Sequence, residues 1–412
     1  MSFFEPFTVR NFRYQWPSDL ATSWAFEMET LVLGWYIYTE TDSVLLLTIF
    51  GSLLFIGTLL SPLMGVVADR IGLRNFICIL RTIYALLATA MVVTIYLDAL
   101  TPTIALLIAF FVGLVRPSDM GMRSALVAAI MPSNLLVGAM SIARTTLDSA
   151  RIFGALAGAG LFATIGIGAT YIVIAAFYWL GLLLSLCITR AEIGNDNQKN
   201  VARQPSPWRD LRQGFSYIWS TPHLQAAMWL AVLVNLTAFP LTIGLLPYVA
   251  KDIYGTGETG LGYLLASFSV GALMASLLLG VVGQKTQSAR MMLIFSVAWH
   301  AMLWVFCYTN DQYSGMALLV LAGFSQSMSM VPLSIMLMRS TDAAFRGRVM
   351  GIRMLAIYTL PVGLVISGTL IETMGFRAAM SLYMITGIIL TICIGLRWYS
   401  DLWPATATGN AR

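Results

Sequence analysis

The chain has 412 residues, of which 58% are hydrophobic and 10% are charged, and its formal net charge is +5. A mean hydropathy of +0.80 excludes a water-soluble monomer and predicts an all-α integral membrane protein. The positive charge does not indicate nucleic acid as a partner, because arginines at the inner side of a membrane are explained by topology and by anionic lipid headgroups.

Apolar stretches of the length that a membrane-spanning helix needs, about 20 residues, recur along the whole chain. We predict roughly twelve of them, arranged as two pseudo-symmetric six-helix bundles. Residues 63–70 can be laid over residues 278–285, which supports a duplication. The predicted spans run over 14–38, 44–68, 75–97, 102–124, 136–165 and 168–189, and then over 223–250, 260–283, 290–309, 314–338, 348–371 and 377–398.

The domain organisation follows from these spans. Lysine and arginine concentrate in the loops on the side that holds both chain ends, and short basic loops stay in the cytoplasm. Both termini are therefore predicted to be cytoplasmic. We predict an N-terminal bundle over 1–189, a cytoplasmic linker with an interfacial helix over 190–222, a C-terminal bundle over 223–398 and a cytoplasmic tail over 399–412.

Charged residues within the apolar stretches concentrate in the first half of the chain. A charged group at the centre of a membrane costs roughly 2.5 to 3.5 kcal/mol, so such groups are kept mostly where they carry ions, protons or substrate. We therefore expect the functional chemistry in the first half. The acids assigned to these stretches are Glu27, Glu29, Asp119 and Asp148, and the arginines are Arg81, Arg116, Arg144 and Arg151.

Glu27 and Glu29 lie midway along the first span. Two residues apart on a helix, they are separated by about 200° and cannot both face one cavity. We favour Glu27 for the cavity, and burial in an apolar bundle favours proton uptake by either carboxylate. The alternative is a carboxylate that is hydrogen-bonded to a neighbouring helix for packing.

The loop after the second span, residues 65–74, combines charges with glycine, which permits a tight turn. One interpretation is a charge latch to the fourth span that closes the cytoplasmic side in one state and breaks in the other. The alternative is a basic loop that only sets the topology. The residues assigned to this gate are Gly65, Asp69, Arg70, Gly72 and Arg74 of the loop, with Asp119 and Arg123 of the fourth span.

Arg116 precedes Pro117 deep in the fourth span. An arginine at that depth must meet an acid, a backbone oxygen or an anionic ligand. The second half offers mainly uncharged polar or aromatic side chains at a comparable depth. The substrate-binding candidates are Glu27, Arg116 and Arg151 in the first half and Asn235, Phe239 and Gln326 in the second half.

On the fifth span, Arg144, Asp148 and Arg151 are spaced by four and three residues and share one helix face. This triad is either a proton or substrate switch, with Asp148 as its acid, or a fixed structural group. Gly154 and Gly158 follow it, and small residues four apart allow two helix backbones to approach closely. Packing without any further role is the alternative for these glycines.

Enzymatic chemistry finds no support in the sequence. His223 and His300 are far apart and not in a metal-binding spacing. No Ser-His or paired Cys arrangement suggests a nucleophile, and no Gly-x-x-x-x-Gly-Lys loop suggests a bound nucleotide. We expect neither an enzyme nor a metal or cofactor. The cysteines are interpreted as small reduced hydrophobic residues, and they are Cys78, Cys187, Cys307 and Cys393.

Residues 65–74 read Gly-Val-Val-Ala-Asp-Arg-Ile-Gly-Leu-Arg, which resembles the loop signature Gly-x-x-x-Asp-Arg-x-Gly-x-Arg/Lys of the major facilitator superfamily. Residues 11–13, 34–38 and 346–351 are similar to segments common in its drug and siderophore exporter branch, which includes enterobactin-exporter-like and macrolide-efflux-like proteins. The segment from Gly154 resembles the antiporter signature Gly-Pro-x-x-Gly-Gly. Ala155 stands in place of its proline and Ala159 in place of its last glycine.

The resemblance implies a transporter of the bacterial cytoplasmic membrane that exports an amphiphilic small molecule, such as a drug or siderophore, in exchange for protons. Proton-coupled antiporters of this superfamily are similar in placing an acid on the first span and an arginine on the fourth, here Arg116. We expect a monomer that interacts with a small-molecule substrate, protons and membrane lipids. The alternatives are a lipid or metabolite carrier with different coupling, and a transporter-like membrane sensor.

Overall fold

The computed structural model describes residues 5–189, 207–282, 288–342 and 345–403, and the regular elements in these ranges are helices. The greater part of the predicted linker, most of the tail and residues 283–285 of the duplicated segment lie outside the described residues. The first half comprises α1 (Arg10–Thr41), α2 (Val44–Leu53), α3 (Ser61–Ile71), α4 (Leu73–Tyr96), α5 (Pro102–Ile130) and α6 (Leu136–Leu186). The second half comprises α7 (Pro207–Trp219), α8 (Pro222–Thr237), α9 (Phe239–Gly244), α10 (Leu246–Tyr248), α11 (Glu258–Val282), α12 (Ser288–Phe306), α13 (Gln312–Arg339), α14 (Arg346–Ala356), α15 (Thr359–Met374), α16 (Phe376–Arg397) and α17 (Tyr399–Leu402).

Eight helical segments of the described ranges are long and apolar enough to cross a membrane. The helix α1 is 32 residues long but is too polar to belong to this set. The stretch Val44–Thr58 is apolar but short. Because apolar helices of this length satisfy their backbone hydrogen bonds internally, they are stable in lipid. The chain is thus an all-helical integral membrane protein.

The span predicted over 44–68 is not one continuous helix. The helix α2 ends at Leu53 and α3 begins at Ser61. The break lies where this segment crosses α5, at a contact so close that a Cβ on Gly57 would overlap the carbonyl oxygen of Leu114. The crossing therefore requires glycine, and the direct contact between backbones displaces the regular helix.

The span predicted over 223–250 is also interrupted. It is divided into α8, α9 and α10 and ends in a single π-helical turn at Val249–Ile253. Pro240 and Pro247 stand in the first turns of α9 and α10. Proline has no backbone N–H to continue a helix, and it is tolerated where a new helix starts. The proline positions thus explain where the helix divides.

The predicted fifth and sixth spans are joined without a loop in α6. Gly166 has φ 77° and ψ 175°, a non-helical conformation inside this 51-residue helix. Residues with a Cβ rarely adopt such a positive φ, whereas glycine does so without strain. One glycine is therefore sufficient to separate the two predicted spans.

The glycines of the fifth predicted span pack α6 against α1. A Cβ on Gly154 would lie 3.0 Å from Cβ of Glu27, and one on Gly158 would lie 3.0 Å from Cα of Met28. In the contact between α6 and α11, α6 contributes an alanine. Ala159 of α6 packs against Gly262 of α11, where an added Cβ would meet the Cβ of Ala159. Within this helix, glycine thus serves the packing of the first half, and alanine serves the contact between halves.

We expect Gly158→Ala to lower the free energy of unfolding by about 1–3 kcal/mol, because the added methyl group overpacks the contact with Met28. Gly160→Ala is the matched control, since nothing lies within 4 Å of its added Cβ and alanine favours the helix by up to about 1 kcal/mol. Unfolding by sodium dodecyl sulfate in mixed micelles measures both variants. An equal response of the two would contradict the close-packing role.

Candidate transport site

The first half of the chain surrounds a cavity of about 460 Å³, which includes its opening to solvent. Its walls come from α1, α4, α5 and α6. Phe26, Tyr84 and Tyr178 form its aromatic surface. The charged residues of the cavity come from three predicted spans, and they are Glu27, Arg116, Asp119, Arg123 and Arg151.

Arg116 lies over aromatic rings. Its guanidinium carbon is 3.2 Å from the ring centre of Phe26 and 5.6 Å from that of Phe55, a geometry in which the ring quadrupole attracts the cation. Arg116 forms no hydrogen bond or ion pair with any of the described residues. Its five N–H donors are therefore free to bind a ligand.

Glu27 and Glu29 lie on different sides of α1. Glu27 lines the cavity, whereas Glu29 is only 3% exposed and accepts a hydrogen bond of 2.6 Å from the Tyr178 hydroxyl. The second carboxyl oxygen of Glu29 has no hydrogen-bond partner in the described part of the chain. Tyr178 itself lines the cavity and stacks on Tyr84, with ring centres 5.4 Å apart. Tyr178 thus connects the cavity wall to Glu29.

Asp148 lies between two arginines of its own helix. Nε of Arg144 is 3.2 Å from Oδ2, and Nη1 of Arg151 is 3.7 Å from Oδ1. The Asp148 side chain is 12% exposed, while those of Arg144 and Arg151 are 62% and 46% exposed. Arg144 is therefore the nearer partner of Asp148. Arg151 also lines the cavity.

A fifth acid, Asp19, joins the four that the sequence predicts within the apolar stretches, and the sequence pattern did not single it out. Its carboxylate forms an ion pair with Arg81, whose side chain has no exposed surface. Arg81 also donates to the Ser185 hydroxyl and, at 3.2 Å, to the Gly181 carbonyl oxygen. Asp19 falls inside the predicted span 14–38. The signal available in the sequence was that Arg81, buried in the third span, needs an acid from another helix.

The same network reaches the fourth predicted span. Arg123 forms an ion pair with Asp119, one turn away on α5, and lies 3.7 Å from Asp19. It also donates a hydrogen bond of 2.8 Å to the Ser23 hydroxyl. Two acids and two arginines from α1, α4 and α5 thus form a closed cluster, in which each charge has an opposite charge beside it.

In the predicted gating loop, Gly72 adopts a backbone conformation with a positive φ and Arg74 is hydrogen-bonded to the end of α6. Gly72 has φ 88°, a conformation that favours glycine. Arg74 donates to the carbonyl oxygens of Ile188 at 3.1 Å and Leu186 at 2.7 Å, at the end of α6. Arg70 is exposed, and a Cβ on Gly65 would meet nothing within 4 Å. The Asp69 side chain lies outside the described residues, so its latch to Asp119 and Arg123 stays a prediction.

The second-half candidates do not line this cavity. Asn235 is buried and donates a 2.8 Å hydrogen bond to the Ala231 carbonyl oxygen of its own helix. Phe239 packs edge to face on Trp299, with ring centres 4.9 Å apart. Gln326 is partly buried. In the described structure, these residues stand apart from the charges of the first half.

The two halves of the chain are hydrogen-bonded to each other where α1 ends and α2 begins. The Glu372 carboxylate accepts hydrogen bonds from the Ser43 hydroxyl at 3.2 Å and the Leu45 amide at 3.1 Å. This places an acid at the amino end of α2, where the helix dipole favours it. We call this set of residues the interhalf latch, and it comprises Tyr38, Asp42, Ser43 and Leu45 with Lys251, Asp252 and Glu372.

An all-helical membrane bundle with opposite charges around an internal cavity is typical of a membrane transport protein. Residues 1–407 match the sequence model of a major facilitator family that is described as "Transmembrane secretion effector". The chain belongs to this family. No curated protein matches the sequence.

Solved structures of transporters share the fold. The nucleoside transporter NupG has a TM-score of 0.71 and 15% identity, covering 94% of this chain and 99% of its own. The POT family transporter PepTSo has a TM-score of 0.74 and 12% identity, covering 96% and 99%. A D-xylose-proton symporter has a TM-score of 0.70 and 10% identity, covering 93% and 96%. At these identities, the likeness establishes the fold alone.

Proposed function

We propose that this protein is a proton-coupled exporter of an amphiphilic small molecule, such as a drug or siderophore, and that it works by alternating access. The observation that carries the proposal is the cavity lined by both Glu27 and Arg116. A carboxylate there binds either a proton or a cationic group of the cargo, and such competition couples the two by antiport. The family description, which names secretion, supports the direction of export.

The proposed architecture has twelve spans in two six-helix bundles, over 1–189 and 223–398, with 190–222 as linker and 399–412 as tail. The helix bounds support this count when α2 and α3 form one span and Gly166 divides α6 into two. In the second half, α8 to α10 form one span and α14 with α15 another. The remaining long helices then complete six spans in each half.

The proposed location is the bacterial cytoplasmic membrane, with both termini in the cytoplasm and the chain as a monomer. The distribution of basic loops supports this orientation, because lysine and arginine are retained on the cytoplasmic side. The interhalf latch then lies at the outer face. Alternating access requires that its hydrogen bonds break when the transporter opens outward.

We expect Glu372→Gln to favour the outward-open state by about 1 kcal/mol, because loss of the carboxylate weakens the cap of α2. Spin labels at the exposed positions Glu40 and Thr259, read by pulsed electron resonance, would then show a larger population with a long separation. Asp401→Asn, an exposed substitution near the C-terminal end of the described chain, is the control. An unchanged distance distribution in Glu372→Gln would contradict the role of the latch.

The decisive test of the function measures proton release from the purified protein in weak buffer when lipophilic cations, macrolides and catecholates are added one at a time. Antiport predicts that a bound cargo displaces protons and that, in proteoliposomes, a proton gradient drives its flux. Binding without proton release would replace the proposal with a lipid or metabolite carrier of different coupling. Binding without any flux would indicate a membrane sensor.

A further inference from the structure

Two opposite charges of the cavity have no ion pair or hydrogen bond with any of the described residues. Neither Glu27 nor Arg116 forms a hydrogen bond or ion pair with another residue of the described ranges, although both line the same cavity. Ionised groups at such depth are retained where they bind something. A ligand in this cavity can therefore bind a negative side chain and a positive side chain at the same time.

The other charges of the wall are already engaged. Among the wall residues, Arg123 is paired with Asp119. Asp148, which does not line the cavity, has Arg144 at 3.2 Å. Arg151 is the exception, because it is 3.7 Å from Asp148 and its side chain is 46% exposed. An anionic group held by Arg116 therefore has a second guanidinium in the same cavity. A cationic group finds the Glu27 carboxylate, which is unpaired among the described residues.

Apolar surface adjoins these charges. The Phe26 ring, over which the Arg116 guanidinium lies, also forms one wall of a narrow crevice. Most of the other wall residues of this crevice are apolar, among them Leu33, Phe50, Leu54 and Val112. A ligand with its polar end at Arg116 would place an apolar body on Phe26 and toward this crevice.

We propose that the cargo is a zwitterionic amphiphile, in which an ammonium group binds Glu27, a carboxylate or phosphate binds Arg116 and Arg151, and an apolar body packs on Phe26. This inference rests on the proposed function for the movement of the cargo and on the cavity for its charges. It also specifies how coupling arises. Protonation of Glu27 displaces the ammonium group, whereas a ligand with only an anionic group binds better once Glu27 is neutral.

The test uses three probes that share a naphthyl body, namely naphthylalanine as zwitterion, naphthylpropanoate as anion and naphthylethylamine as cation. Their dissociation constants are measured on the full-length protein in nanodiscs, with binding to protein-free nanodiscs subtracted. We expect the dissociation constant of the zwitterion to be at least about tenfold lower than that of either singly charged probe. The zwitterion makes one more hydrogen bond to a charged group, and such a bond changes a dissociation constant by about that factor. The variants are Glu27→Gln, Arg116→Gln and, as an exposed control, Arg377→Gln.

Each variant has a distinct expected pattern. Arg116→Gln should weaken binding of the zwitterion and the anion about tenfold and should not weaken binding of the cation. Glu27→Gln should weaken the zwitterion and the cation and should strengthen binding of the anion, because the repelling carboxylate is gone. Glu27→Asp and Arg116→Lys, which keep the charges, should restore part of the binding and exclude misfolding as the cause. A zwitterion that binds no better than the single charges, or that does not bind, would overturn the inference.

Failure of the transport proposal would look different. If the expected binding pattern is found but no proton is exchanged and no flux occurs, the charge assignment of the cargo holds and proton-coupled export is wrong. If a proton gradient drives naphthylethylamine but not naphthylalanine, export holds and the zwitterionic assignment is wrong.

Discussion

Replacement of Asp19 by asparagine is expected to lower the free energy of unfolding by about 3–5 kcal/mol. The reason is that Arg81, which has no exposed surface, would keep its charge but lose the carboxylate that balances it. The Ser185 hydroxyl and the Gly181 carbonyl oxygen would remain as its hydrogen-bond acceptors, and neutral acceptors do not replace an opposite charge in a medium of low dielectric constant. Unfolding by sodium dodecyl sulfate in mixed micelles measures the loss.

Asp42→Asn provides the matched comparison. Asp42 also pairs with a basic residue, Lys251, but its side chain is 77% exposed, and exposed pairs contribute about 1 kcal/mol or less. Asparagine also tolerates the left-handed backbone conformation at this position, where φ is 48°. If the two variants lost equal stability, the Asp19 cluster would not be the buried electrostatic centre that its geometry indicates.

Replacement of Glu27 by glutamine is expected to reduce proton-driven transport to the level of vesicles without protein. Glutamine has nearly the same shape but takes up no proton, so the cavity loses the group for which cargo and proton compete. Exchange of saturating cargo across the membrane needs no net proton movement, and it should persist. Uptake driven by a proton gradient and exchange at equal pH, measured in the same proteoliposomes, separate the two effects.

Glu40→Gln is the control for this experiment, because Glu40 belongs to the same helix but is exposed near its end. Glu29→Gln and Asp148→Asn complete the series of candidate acids. Asp148 is held by two arginines, and we expect its variant to retain proton release. Coupling that survives in Glu27→Gln and disappears in Glu29→Gln would move the proton site to the Tyr178 side of α1.

The charged groups of the first half form two sets with different surroundings. Asp19, Arg81, Asp119 and Arg123 neutralise one another within the bundle. Glu27 and Arg116 line the cavity without such partners among the described residues. A mutually neutralised cluster resists rearrangement, because removal of any member leaves a buried charge. We therefore propose a structural role for the first set, while the gate role of Asp119 and Arg123 stays a prediction, and we propose a ligand-binding role for the second set.

The sequence pattern predicts where the helices lie along the chain but not where a helix is interrupted. The apolar stretches coincide broadly with the helices, yet the stretch over 44–68 contains a break and two predicted spans merge at Gly166. Hydropathy measures how apolar a segment is, and it carries no information about a neighbouring helix that displaces the backbone. The crossing of Gly57 with α5 is such a tertiary effect.

The sequence by itself determined that the protein is an all-helical membrane transporter of the major facilitator type. In lipid, the polar backbone groups of an apolar segment must be hydrogen-bonded internally, which a helix achieves, and the charged loop carries the signature. It also separated Glu27 from Glu29, since helix geometry alone turns them apart. Only the tertiary structure decided the partners of the buried charges, such as Asp19 with Arg81 and Glu29 with Tyr178. These pairs come from different helices, and their contact depends on the depth and rotation of each helix in the bundle, which spacing along the chain does not specify.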